Sequence, residues 1–223
     1  MILEWSPQHE LGVPRMDATH REFVDCVNAL HDAPDGEMLA ALDALLAHTV
    51  EHFEQENRWM SELAFPPAHC HLPEHEGILQ ITREVRELIV EGKYEIGRVL
   101  ANELAPWFVN HAATMDNMLA AFIQARGYNP DLPFAAQTLN LATAIPAAAS
   151  CASAQCGAEL PAGQLPWNRM RLWSRLRRAR IPDPIRALTD SGPHRFGSTP
   201  IRIPQRPGSR APPCVTRLDL QNG

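Results

Sequence analysis

The chain has 223 residues, with 20 Lys+Arg against 26 Asp+Glu and a formal net charge of −6. That sum conceals two polymers: residues 1–140 carry eight cationic and 22 anionic side chains, −14, whereas residues 141–223 carry twelve and four, +8. Such a split argues against one uniform large domain and for an ordinary domain with an extension, and no run approaches the ~20 apolar residues that would span a bilayer.

The opening stretch, MILEWSPQHE, has neither a basic n-region nor an apolar h-region, so a cytoplasmic address is expected. The longer segment ILEWSPQHELGVPRM reads as an extended arm whose Trp5, Leu11 and Val13 pack along the helical region. A first helix is predicted over about 17–32, with Asp17 as N-cap and Phe23, Val24, Val27 and Leu30 on one face. Asp35-Gly36 restarts the chain, and about 29 residues from Gly36 run without a breaker until Phe65-Pro66-Pro67. The third helix spans about 70–91 and closes at Glu91-Gly92; the fourth spans about 94–126 with Gly127 at C′. Pro73 requires the third helix to begin close to it, and Pro106 should kink the fourth. Short connections between long amphipathic helices predict an all-α, antiparallel up-down-up-down four-helix bundle. Beyond about residue 140 only the basic segment 167–181 has helical character, and the Pro/Arg-rich remainder is expected to lack order.

Nine of the ten histidines precede residue 112. His52 and Glu56 are i,i+4 on the second helix, as are His71 and His75 on the third; His20 lies on the first, and His111 and Asp116 on the fourth. These five imidazoles and two carboxylates exceed the four ligands of a closed zinc site. Two octahedral-leaning metals bridged by both carboxylates and a solvent oxygen would use all seven and leave one position over. Imidazole suits several metals, and the register stays open at this point, since His48 competes with His52 and His69 with His71. The step from His111 to Asp116 is awkward: five residues turn a side chain ~140° from its starting stripe in a regular helix. A local π-type widening, or a kink from Pro106, would ease it.

Residues 1 to about 130 resemble a bacteriohemerythrin, a bacterial hemerythrin-like di-iron protein. The resemblance rests on Trp5, LGV at 11–13, MDATH at 16–20, HFEQENRWM at 52–60, FP at 65–66, HLPEH at 71–75 and WFVNHAATMD at 107–116, in the family's order and spacing. It implies a bundle over residues 1–130 followed by a low-order extension over 131–223, and selects His52 over His48 and His71 over His69. It further implies that His71, His75 and His111 bind one iron, His20 and His52 bind the other, and Glu56 and Asp116 bridge the pair. Dioxygen would bind end-on at the vacant position of the second iron, taking two electrons from the pair and a proton from the bridging hydroxide. The implied function is oxygen carriage, storage or delivery rather than catalysis. A di-iron enzyme acting on peroxide or nitric oxide and an oxygen-sensing module are the alternatives.

The resemblance places Phe53, Trp107, Phe108 and Ala112 around the oxygen pocket. Relatives usually carry Leu where Phe108 stands and a bulky aliphatic residue where Ala112 stands, so faster autoxidation is expected here. Asn57, where relatives often have a second acid, reads as exposed and tolerant; Glu54, Glu74 and Glu76 read as solvated helix charges. The basic tail is only a weak signal for nucleic acid or a membrane surface.

Overall fold

The computed structural model describes residues 1–140. The segment 167–181 and the expected lack of order after residue 140 lie outside the described residues. Within them the chain forms α1 (Pro14–Asp32), α2 (Met38–Glu62), α3 (Ala68–Val90), α4 (Glu95–His111) and α5 (Asn117–Arg126), with a π-helical segment, Ala112–Asp116, joining the last two. The α4, π and α5 pieces make the fourth helix of the bundle. Each helix packs chiefly on its neighbours in the ring α1–α2–α3–α4, the arrangement that short connections impose on an up-down-up-down bundle. The described residues contain no strand.

The helix starts depart from expectation in one instructive way. Pro14 occupies the first turn of α1, where its fixed φ suits a helix and its missing N–H costs nothing. The helix therefore begins three residues before Asp17. Asp17 does not cap it; its buried carboxylate turns back and accepts N–H bonds from Leu11 at 2.7 Å and Gly12 at 3.1 Å. Its role is to seat the arm, which also pairs with the Asn28 amide: Ile2 and Leu3 donate to Oδ1, and Nδ2 donates to the Leu3 carbonyl. Trp5 and Leu11 are half-buried against the core and Val13 is buried, as the pattern predicted.

Pro73 sits in the second turn of α3, because that helix starts at Ala68. Both Pro73 and His69, whose carbonyl loses its helical partner, are exposed, a setting in which an unmet acceptor costs little because solvent can reach it. At the other end of α2 the chain stops in a Schellman turn: Phe65 N–H donates to the Met60 carbonyl at 2.9 Å, and Ala64 adopts φ +49°. The fourth helix ends the same way, with Tyr128 N–H on the Ile123 carbonyl and Gly127 at φ +61°. Residues 131–140, assigned from sequence to the extension, return to the end of α5, where Gln137 donates to the Asn129 carbonyl and Asn140 N–H to the Arg126 carbonyl.

Two apolar clusters fill the bundle. One contains Phe23, Val27, Leu30, Leu42, Val85 and Leu100 among others; the second contains Val13, Met16, Trp59, Phe65, Leu119 and Phe122. Along α1 the clusters are separated by His20, along α2 by Glu56, and along the fourth helix by Asp116. A polar layer thus crosses the bundle between two hydrophobic blocks.

Candidate metal centre

His20, His52, Glu56, His71, His75, His111 and Asp116 all lie in this layer, and all are buried. Glu56, His71, His75, His111 and Asp116 form one group of converging donor atoms, and His20, His52 and Glu56 form a second. In the first, the Nε2 atoms of His71 and His111 stand 3.0 Å apart and those of His75 and His111 3.3 Å apart. Two donors at right angles on one metal, with bonds of about 2.1 Å, are separated by about 3.0 Å.

The two carboxylates divide their oxygens between the groups. Glu56 presents Oε1 to His52 at 3.1 Å and His20 at 3.5 Å, and Oε2 to His75 at 3.4 Å and His71 at 3.7 Å. Asp116 presents Oδ2 to His20 at 3.4 Å, and Oδ1 to His71 at 3.1 Å and His111 at 3.2 Å. The π segment makes this possible. Asn117 N–H reaches the Ala112 carbonyl five residues back, and the widened turn swings Asp116 into the stripe that carries His111.

The layer is poorly satisfied as a hydrogen-bonded network. Both ring nitrogens of His20, Nδ1 of His52 and His71, Oε2 of Glu56 and both oxygens of Asp116 are buried without a hydrogen-bond partner. Each such atom costs about 1–3 kcal/mol, and more when charged. Converging acceptor atoms that cannot satisfy one another are what a cation satisfies, so the donor set fits metal. In the protein alone, protons take the place of that cation. Burial opposes protonation of His20, but Asp116 and Glu56 overcome it and push its pKa up to about 10. Burial acts alike on His75, where the neighbouring Glu56 does not compensate and the value falls to about 4. Burial raises both carboxyls, yet the surrounding histidines hold Glu56 and Asp116 well below the usual carboxylate range.

The aromatic shell is close-fitting. Phe53 stacks on His75 with ring centroids 3.9 Å apart and planes 1° apart, and Trp107 stacks on His111 at 4.5 Å. Phe108 meets His20 edge-on at 5.3 Å and stacks on Phe23 at 5.1 Å; Ala112 is buried beside them in the same cluster. The competing histidines fall elsewhere: His48 Nε2 lies 3.2 Å from the Thr19 carbonyl oxygen, and His69 is exposed with Nδ1 near the Pro66 carbonyl.

Two expectations are corrected. Asn57 is neither exposed nor idle: it is half-buried, and its Oδ1 accepts from His75 Nδ1 at 2.9 Å. Glu74 is half-buried and accepts from Trp107 Nε1 at 3.4 Å, while Glu54 and Glu76 are exposed as expected. The overlooked signal for Asn57 is its i,i+4 spacing from Phe53, which puts both on the stripe of α2 that faces His75.

The Hemerythrin HHE cation binding domain family matches residues 11–123 of this chain, and the chain belongs to that family. Among curated relatives, the bacteriohemerythrin of Ralstonia nicotianae is 41% identical over 126 residues, covering 56% of this chain and 92% of the relative. The bacteriohemerythrin of Aquifex aeolicus is 29% identical over 126 residues, covering 54% and 96%, and that of Stenotrophomonas maltophilia 27% over 128 residues, covering 56% and 83%. Family membership and the buried His/Glu/Asp cluster together point to iron as the metal.

Proposed function

We propose that this chain binds dioxygen reversibly at a pair of iron ions. His71, His75 and His111 serve one ion, His20 and His52 the other, and Glu56 and Asp116 serve both. The observation that carries this reading is the division of each carboxylate's two oxygens between the two histidine groups. Three imidazoles on one side and two on the other leave the second ion a place for a small ligand, and the iron pair, when bound, supplies the electrons for holding dioxygen.

The protein's own residues favour binding over turnover. Five histidines and two carboxylates make a less anionic donor set than the Glu-rich sites of carboxylate di-iron proteins. Phe53, Trp107, Phe108 and Ala112 close the surroundings with apolar surface and limit the water and protons available for side reactions. We assign the activity to residues 1–130 and the extension from 131 no part in it. No helix among the described residues is long and apolar enough to cross a membrane, and we place the protein in the cytoplasm.

The decisive experiment is iron quantification with optical spectra recorded under air and under argon. Two irons per chain and an absorption band that appears in air and bleaches on deoxygenation are expected. A protein that binds only zinc, or one iron per chain, overturns the proposal; fast turnover of peroxide without a stable oxygenated spectrum favours an enzyme instead.

A further inference from the structure

For His75 to direct a lone pair from Nε2 toward Glu56 and His111, its proton must sit on Nδ1. The group facing Nδ1 is the Oδ1 of Asn57, at 2.9 Å. Phe53, one turn earlier on α2, lies parallel against the face of the same ring. One stripe of α2 therefore fixes the plane of His75 with a ring and its rotation within that plane with an amide. By contrast, Nδ1 of His20, His52 and His71 finds no partner.

The acceptor is neutral. A carboxylate in its place would also hold the proton on Nδ1, but would add negative charge next to a layer that already buries Glu56 and Asp116, and would make the imidazole a stronger donor. We propose that Asn57 is a positioning and tuning residue: it selects the Nδ1–H tautomer of His75 and keeps that imidazole a comparatively weak, neutral donor, which favours the reduced metal. This rests on the metal-site reading above for its consequence, though not for the tautomer itself.

The test compares the full chain with Asn57→Leu and Asn57→Asp by three measurements. These are ¹⁵N NMR of the His75 ring in the metal-free protein, Zn²⁺ affinity by calorimetry, and the reduction potential of the iron-loaded protein. The wild type should show the Nδ1–H tautomer. Asn57→Leu should lose that preference and bind Zn²⁺ about 10–100-fold more weakly. Asn57→Asp should keep the tautomer, bind Zn²⁺ at least as tightly as the wild type, and shift the potential downward. A purely structural role would affect both variants alike, and that result, or an Nε2–H tautomer in the wild type, overturns the inference. A wild type with the Nδ1–H tautomer but no affinity for Zn²⁺ or iron would instead break the metal-site reading, and with it the tuning role.

Discussion

Asp17 shows how much can rest on one side chain. Its buried carboxylate satisfies two backbone N–H groups of the arm, so Asp17→Ala leaves both donors unmet and should cost about 2–3 kcal/mol. Urea denaturation of the metal-free protein measures it, and a loss below about 0.5 kcal/mol would contradict the role. His20 carries a pH prediction. Its folded pKa of about 10 lies above the ordinary 6.5, so the stability it contributes to the metal-free protein is present in full below about pH 6.5 and is lost as pH rises through about 10. The melting temperature of the metal-free protein should fall between pH 7 and pH 10. Metal must displace that proton, so loading at pH 7 should release acid, detectable by titration in weakly buffered solution. Ala112 offers a test of the proposed oxygen pocket. Refilling the position through Ala112→Ile should slow autoxidation, followed as the decay of the oxygenated spectrum; an unchanged rate would remove Ala112 from the explanation.

At the level of elements, the two Schellman ends provide a matched pair of tests. Ala64 holds a left-handed conformation that glycine adopts without strain, and it is exposed, so Ala64→Gly should stabilise by up to about 1 kcal/mol. Gly127→Ala at φ +61° is the reverse experiment and should destabilise by about 1 kcal/mol. Thermal unfolding of both variants reads the sign directly; equal signs would show that the helix ends are not controlled by this residue. The π segment is the irregular part of the fourth helix. A π turn sacrifices regular α hydrogen bonding, and here it coincides with the step that puts Asp116 and His111 on one side of the helix.

For the whole molecule, residues 1–140 bring together all seven side chains of the polar layer and the two apolar blocks that sandwich it. Removing residues 141–223 should therefore leave the melting temperature and the iron content per chain unchanged, although it removes a net charge of +8. Loss of folding or of metal on truncation would show that the extension takes part in the bundle.

Helical period, the i,i+4 pairs His52/Glu56 and His71/His75, and the glycine after Arg126 were legible in the sequence, because each is a local relation within one helix. The awkward His111–Asp116 step was legible too, as a backbone irregularity awaiting a form. Other features were not. Spacing alone left His48 and His52 on one face with Glu56, so the choice of His52 came from the family resemblance; packing against α1 and α3 is the physical reason that His52 faces the cluster while His48 meets the Thr19 carbonyl. Asn57 and Glu74 looked like surface residues because their partners, His75 and Trp107, come from other helices. The sequence by itself determined the helices and the residue types available to a metal. Only the tertiary structure decided which oxygen of each carboxylate faces which histidines, because that depends on the distance and register between helices far apart in the chain.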